Sequence, residues 1–209
     1  MAYGFMDVAL TPAVRSAQAE MGADRLWSDF KGHREFDRFS ANEIAFIAER
    51  DSFYIASVSE TGWPYVQHRG GPSGFLKVVD DRTLAFVDYR GNRQYISTGN
   101  LMANDRACLF LMDYPARSRL KIYVHVERLS LDADPALTAA ITDEAYGAKA
   151  ERIFRLQLVA FDWNCAQHIV PRYTEAEVRA ASQRLLERVA QLERDNTALL
   201  ARIQTQSTE

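Results

Sequence analysis

Short apolar runs, each ending at turn residues, occupy most of the chain. They lie at residues 53–59, 63–69, 75–79, 84–89, 106–114, 120–131 and 151–161. Turn signals such as Glu60-Thr61-Gly62 and Asp80-Asp81-Arg82-Thr83 separate them, which predicts strands joined in hairpins. Many short strands with few helices favour a closed or nearly closed antiparallel barrel, because closure removes the exposed edges of a sheet.

Helical patterns interrupt the strands at a few places. Ser40 and Glu43 have the spacing of a capping box, which predicts a helix over 41–50. Asp134-Pro135 is a start signal for a second helix, over 134–148. Further helices are predicted over 8–21 and 92–103.

The C-terminal segment has a different pattern, with helical periodicity over 174–204. Two seven-residue series, offset by four, give it an a/d seam: Val178, Leu185, Leu192 and Leu199, then Ser182, Val189, Asn196 and Ile203. A polar Asn in such a seam fixes register and favours two strands. The seam predicts either a dimerising coiled coil or an amphipathic helix packed on its own domain. The expected division is a lead-in at 1–40, a barrel domain at 41–173 and a helix at 174–209.

Composition narrows the class of protein. The chain has 209 residues, 47% hydrophobic and 25% charged, with a net charge of −3, so a general nucleic-acid binder is not expected. It lacks a signal-peptide pattern and an apolar run long enough to span a membrane, which predicts a soluble cytoplasmic protein. Two scattered cysteines, Cys108 and Cys165, are expected to stay reduced. The four histidines have no metal-ligand spacing, so no metal is expected.

The candidate chemistry lies between residues 68 and 94. His68-Arg69-Gly70-Gly71 ends a strand and enters a glycine-rich loop, where a cation and accessible backbone amides can hold a phosphate. Arg90-Gly91-Asn92-Arg93-Gln94 follows another strand and opens a helix, and the start of a helix attracts anions. Together the two segments predict an anion site.

These segments also carry a resemblance. Ser57–Gly71, Phe75–Val78, Arg90–Tyr95, Asn100–Tyr114 and Asp162–Cys165 resemble, in this order, the pyridoxamine 5′-phosphate oxidase-like family of flavin-binding split barrels. The resemblance implies a mainly β, α+β fold: an antiparallel six-stranded split barrel with flanking helices and, in this chain, a long C-terminal helix. It further implies a homodimer that binds flavin mononucleotide (FMN) at its interface, with residues from both subunits in each site.

The resemblance assigns roles to individual residues. Arg69 and Arg93 match the arginines that meet the flavin phosphate, and Gln94 stands where many members have lysine, a loss of charge for which His68 or Lys77 could compensate. Lys77 also falls beside the flavin and substrate. The remaining implied cofactor contacts are Gly70, the backbone of Val87 and Asp88, Arg119 from the other subunit, and Trp163 and Asn164 from the C-terminal part.

Departures from the family pattern leave the substrate open. Ile169–Tyr173 replaces the Arg-Leu-His segment that handles pyridoxal phosphate in true oxidases. The first hypothesis is therefore an FMN-dependent oxidoreductase that acts on another small molecule or a nicotinamide donor. The alternative is a non-catalytic binding or sensor protein for flavin, deazaflavin or haem, whose C-terminal helix recruits a partner. The catalytic residues stay unassigned in both hypotheses.

Overall fold

A computed structural model describes residues 4–27, 37–163 and 166–206 of the chain. They divide into two compact units, Met1–Asp113 with Arg117–His168, and Tyr114–Ala116 with Ile169–Glu209. The first unit contains the sheet, and the second contains the long C-terminal helix.

Four short helices precede the sheet: α1 (Phe5–Ala9), α2 (Pro12–Glu20), α3 (Asp24–Trp27) and α4 (Ala41–Ala48). The helix predicted over 8–21 is divided because Thr11 caps α2 and Pro12 occupies its first turn. The capping box of α4 is confirmed. The hydroxyl of Ser40 accepts from the backbone N–H of Asn42 at 3.3 Å, and the backbone N–H of Ser40 donates to the Glu43 carboxylate at 2.8 Å.

All seven predicted strands are present, so the sheet has one strand more than the six of the expected split barrel. They are β1 (Ser52–Val58), β2 (Pro64–Gly70), β3 (Lys77–Asp80), β4 (Thr83–Tyr89), β5 (Arg106–Asp113), β6 (Ser118–Leu129) and β7 (Ala150–Trp163). They form one antiparallel sheet in the order β2-β1-β5-β6-β7-β4-β3. The fold is therefore α+β, as predicted, with β2 and β3 as the two edge strands.

The inward face of the sheet encloses the main core. Phe86 lies at its centre, with its ring centroid 5.3 Å from those of Phe53 and Phe154. Aliphatic residues from β1, β5, β6 and β7 complete this cluster, including the fully buried Ile55, Leu109, Leu120, Ile122 and Leu156. Their alternation along each strand follows from the two-residue period of side chains in a β-strand.

Two further helices cover the sheet. Helix α5 (Ile96–Ala103) begins later than predicted, because Arg93 and Tyr95 adopt left-handed backbone conformations. Helix α6 (Pro135–Ile141) starts at the predicted Asp134 cap and ends at Ile141, before a separate 3-10 turn at Glu144–Tyr146. Helix α6 packs a second apolar cluster on the outward face of β4 and β7, formed by Ala85, Val87, Leu137, Ile141 and Ile153.

The second unit contains one helix of 32 residues, α7 (Glu175–Gln206). The segment predicted to be helical, 174–204, is confirmed to within two residues at its C-terminal end. None of the described helices, α7 included, combines the length and the apolar character that a membrane span requires.

Candidate anion-binding site

Three charged side chains meet inside the barrel, at the end that α5 covers. Asp88 of β4 pairs with Arg69 of β2 at 2.5 Å and with Arg152 of β7 at 3.3 Å. Asp88 and Arg152 are directly opposite in the β4–β7 ladder, so their side chains share the inward face. We call these three residues the inner charge cluster. Because β2 and β4 are not hydrogen-bonded neighbours, the Arg69–Asp88 pair crosses the split of the barrel.

The inner charge cluster has more donors than acceptors. Two guanidinium groups share the carboxylate of Asp88, a residue that is only 4% exposed, and Arg152 also donates to Glu151 at 3.2 Å. The Nε atom of Arg69 is buried and donates no hydrogen bond, whereas the buried Nε atom of Arg152 lies 3.3 Å from the Asp88 carboxylate as an ion pair without hydrogen-bond geometry. An unsatisfied buried donor costs about 1–3 kcal/mol, more when it carries charge. The cluster is therefore suited to an additional anionic acceptor.

The start of α5 adds backbone donors. Its N-cap residue, Tyr95, supplies no side-chain cap, and the first intrahelical bond runs from Gly99 N–H to the Tyr95 carbonyl at 2.8 Å. The backbone N–H groups at the start of an α-helix have no intrahelical acceptor, and the helix dipole is positive there. Arg93 and Tyr95 precede the helix with φ of 66° and 53°. Such conformations are costly for non-glycine residues and concentrate at functional sites.

A cavity of about 200 Å³ connects these features. Its volume suits a phosphate-sized group, whereas whole small-molecule ligands occupy about 300–1,000 Å³. A larger ligand bound here would extend outside the cavity. The lining residues are Gln67, Arg69, Asp88, Tyr89, Gly91, Asn92, Arg93, Tyr95, Ser97, Thr98 and Glu151.

Glu151 joins the loop before α5 to strand β7. Its carboxylate accepts from Arg90 Nε at 2.8 Å and from the Tyr95 hydroxyl at 3.1 Å. The hydrogen bond from Arg90 is the main reason that the pKa of Glu151 lies below its usual value. The guanidinium of Arg152 stacks over the Tyr95 ring at 5.0 Å. These contacts fix the backbone immediately before the open start of α5.

Polar side chains of α5 complete the support. Ser97 donates to Gln67 at 2.6 Å, and Arg152 donates to Thr98 at 3.4 Å. Deeper in the barrel, the side-chain amide of Asn100 donates to the hydroxyl of Ser57 at 3.1 Å. Helix α5 is thereby attached to β1, β2 and β7.

Three residues expected to contact the cofactor lie together here: Arg69, Asp88 and Arg93 all line the cavity. His68 and Gly70 are neighbours of Arg69 on β2, but side chains alternate along a strand, so His68 points to the outward face, where its ring lies 5.5 Å from Tyr54. Gly70 ends β2 opposite Ser52.

The structure places three other expected residues outside the cavity lining. Lys77 pairs with Ala85 of the outward cluster and therefore shares its face. The side chain of Val87 belongs to the same outward cluster. Gln94 is exposed, and its backbone N–H donates to Asn92 at 3.1 Å.

Two more expected residues lie at the opposite end of the barrel. Trp163 ends β7 and pairs with Leu120, next to Arg119. From Arg152 to Trp163 the strand covers a distance of roughly 36 Å at about 3.3 Å per residue. The indole of Trp163 donates to Glu43 at 2.6 Å, and the Nε of Arg119 is buried without a hydrogen-bond partner. Asn164 lies outside the described residues.

Several site residues were missed by the sequence analysis: Gln67, Ser97, Thr98, Glu151 and Arg152. The alternation of β2 could have identified Gln67, which shares the face of Arg69. The polar pair Ser97-Thr98 at a helix start was a second available signal. Arg152 could not be found, because only the pairing of β7 with β4 places it opposite Asp88.

Two larger cavities have unsuitable linings for a phosphate. One of about 690 Å³ beside α6 is lined by Asp80, Asp105, Glu127 and Asp134, with Arg155 as its only arginine or lysine. Another of about 500 Å³ on the outward face is mainly apolar, with Val8, Ala56, Val58 and Tyr123 among its lining residues. Among the residues of 4–27, 37–163 and 166–206, no group of three or more His, Cys, Asp or Glu could hold a metal ion.

The sheet and the inner charge cluster define a split-barrel protein with a candidate anion-binding site at one end of the barrel. The chain belongs to the pyridoxamine 5′-phosphate oxidase family, because the model of that family matches residues 41–187, more than half of the sequence. This confirms the resemblance seen in the sequence. No curated protein gives a significant match.

Solved structures with a similar fold come from proteins with different described properties. An FMN-binding protein from Syntrophomonas wolfei is 14% identical, with a TM-score of 0.43 over 73% of this chain and 95% of that one. The haem storage protein HutZ from Vibrio cholerae is 16% identical, with a TM-score of 0.41 over 60% of this chain and 94% of that one. A Clostridium acetobutylicum protein related to general stress protein 26 is 11% identical, with a TM-score of 0.43 over 59% and 85%. At these sequence identities and TM-scores, the structural similarities do not assign a ligand to this chain.

Proposed function

We propose that this chain binds FMN with its phosphate group at the inner charge cluster, and that it acts as a flavin-dependent oxidoreductase on a small organic molecule or a nicotinamide donor. The observation that carries the proposal is a set of donors without acceptors beside the cavity, namely the buried Nε atom of Arg69 and the backbone N–H groups at the uncapped start of α5. A phosphate supplies the acceptor oxygens that these donors lack.

The residues present fit the phosphate end of this cofactor. Arg69 and Arg93 would donate to the phosphate, and Arg152 would hold Asp88 and Thr98 in place. The N–H groups at the start of α5 would add neutral donors. When bound, FMN supplies the two-electron hydride chemistry, and the protein supplies binding, orientation and electrostatics.

The proposed assembly is a homodimer with the cofactor at the interface. Arg69 and Arg93 lie at one end of the barrel, while Arg119 and Trp163 lie at the other, roughly 36 Å away along β7. One chain cannot bring both groups to one flavin, but two chains in opposite orientations can. The unpaired Nε of Arg119 is then directed to the partner's cofactor.

An exposed apolar surface supports this assembly. The outward faces of β1 and β2 present Tyr54, Val58 and Val66, which are 39%, 39% and 60% exposed. Adjacent apolar side chains on one face of a sheet are typical of a protein interface. A second copy of the chain is the proposed partner there, because it also supplies the missing half of the site.

Titration with FMN, riboflavin and inorganic phosphate tests the proposal. FMN should bind more tightly than riboflavin, which lacks the phosphate, and phosphate should compete with FMN. Arg93→Ala should weaken FMN binding about 10- to 100-fold, since hydrogen bonds to charged groups contribute about 1.5–3 kcal/mol. Arg93 is exposed, so the fold should survive the substitution.

Arg155→Ala is the matched control, because Arg155 lies on β7 but pairs with Glu127 outside the site. Its FMN affinity should equal that of the unmodified protein. Equal affinity for FMN and riboflavin, or unchanged binding in Arg93→Ala, would contradict the anchor assignment. Turnover of NADH or NADPH by the flavin-loaded protein would support the oxidoreductase. A bound flavin that no donor reduces would favour the non-catalytic alternative.

A further inference from the structure

We propose that α7 pairs with α7 of a second copy of this chain as a parallel, in-register, two-stranded coiled coil. This proposal concerns only the second structural unit and does not depend on flavin binding. The partner of the seam is the same helix of another copy. Three observations on α7 support it.

The first observation is the exposed apolar seam. Val178, Leu185, Leu192 and Leu199 occupy the d positions, and Val189 and Ile203 occupy two of the a positions. All six are exposed in the single chain, from 44% for Val189 to 67% for Leu185. Leu at d with β-branched Val and Ile at a is the combination that favours two parallel strands. The exposed seam therefore matches the geometry of a helix pair.

The second observation is Asn196, at an a position between Leu192 and Leu199. In a parallel, in-register pair, a positions face a positions, so the two Asn196 amides can hydrogen-bond to each other. In an antiparallel pair, a positions face d positions, and Asn196 would lie against a leucine without a polar partner. Such a buried unsatisfied amide costs about 1–3 kcal/mol. Asn196 therefore selects the parallel arrangement.

The third observation is a charge pair that one helix cannot make. Arg188 occupies a g position and Glu193 the following e position, five residues later. Pairs within a helix need a spacing of three or four, and neither side chain has a hydrogen-bond or ion-pair partner in the described part of the chain. In a parallel pair, a g position of one helix neighbours the next e position of the other helix. Arg188 of each copy therefore lies beside Glu193 of the other copy, which gives two ion pairs per dimer.

Disulfide trapping in the full-length protein tests the orientation. The background carries Cys108→Ser and Cys165→Ser, and Leu185→Cys or Leu199→Cys is then introduced singly. In the proposed pair, each variant cross-links to itself under mild oxidation. A mixture of the two, one of them with a size tag, gives no mixed dimer, because positions 185 and 199 are about 21 Å apart along the helix. A disulfide needs Cα atoms within about 7 Å.

Arg194→Cys is the control, because position 194 is an f position on the side of the helix opposite the seam. Its cross-linking should be at least about 10-fold slower. Charge reversal gives an independent readout in the Leu199→Cys background. Arg188→Glu and Glu193→Arg should each slow self-cross-linking at least about 2-fold, as expected of exposed pairs. A mixture of the two should restore the rate, because both cross-helix pairs become attractive.

Two results would overturn the proposal. Absence of any cross-link at positions 185 and 199 would show that the seam does not meet its own copy. A cross-link between Val189→Cys and Leu199→Cys, an a and a d position, without self-cross-links at either would show an antiparallel pair.

Discussion

The inner charge cluster leads to a prediction about Asp88. Asp88→Asn removes the carboxylate that Arg69 and Arg152 share; Arg152 keeps its ion pair with Glu151, whereas Arg69 has no other ion pair among the described residues. Removal of one partner of a buried ion pair costs about 3–5 kcal/mol. We expect a value near the lower end, about 3 kcal/mol, because the Arg69 and Arg152 side chains are 14% and 22% exposed and water can still reach them.

The expected loss can be measured by urea and thermal denaturation, followed by circular dichroism. At about 2–4 °C per kcal/mol for a chain of this size, the Tm should fall by about 6–12 °C. Inorganic phosphate should raise the Tm of Asp88→Asn more than that of the unmodified protein. The reason is that a ligand bound only to the folded state stabilises that state, and the Asp88 carboxylate no longer competes with phosphate for Arg69.

Asp162→Asn serves as the control. Asp162 pairs with Lys121 at 3.0 Å on the surface, with side-chain exposures of 33% and 25%. Loss of this pair should cost less than about 1 kcal/mol and leave the phosphate response unchanged. An unfolding free energy of Asp88→Asn within about 0.5 kcal/mol of that of the unmodified protein, or equal stabilisation of both by phosphate, would refute the predicted role of Asp88.

Two further predictions concern stability. Burial would raise the pKa of Glu43, but hydrogen bonds from Ser40 and Trp163 lower it below 4.5. The unmodified protein should therefore have an unfolding free energy about 2 kcal/mol higher than that of Glu43→Gln at pH 7. This difference should vanish as the pH falls through the folded-state pKa of Glu43. An advantage in urea denaturation that does not change with pH would contradict this. Gly74→Ala should lower the free energy of unfolding more than Gly62→Ala. Both glycines have positive φ (73° and 84°), but only at Gly74 would a Cβ lie 2.7 Å from the Ala48 carbonyl oxygen. Equal unfolding free energies of the two variants would refute this.

The sequence predicted the elements of the fold because each has a local signal. The Ser40–Glu43 capping box and the Asp134 cap start α4 and α6 as expected. The late start of α5 was not predictable, because nothing in Arg93 or Tyr95 indicates a left-handed conformation for residues of their type.

The candidate site was predictable only in part, for the same physical reason. Arg69 and Arg93 stood out because each lies beside a loop or a helix start, which are local features. Arg152 lies within β7, and its partner Asp88 is found only through the register of two strands far apart in sequence. The pairing register of two strands depends on the packing of the whole sheet, and the sequence around position 152 alone does not determine it.

The position of β7 has a consequence for synthesis of the chain. Although β7 is the last strand in sequence, it lies between β6 and β4 in the sheet. Until it emerges from the ribosome, the β3–β4 hairpin has no backbone hydrogen bonds to the strands β2-β1-β5-β6, and β4 and β6 each expose an edge. Such long-range pairing is slow to form and leaves those edges open to wrong partners. Assembly of the barrel is therefore a late event, and a chain that stops before residue 150 should yield two disconnected pieces of sheet.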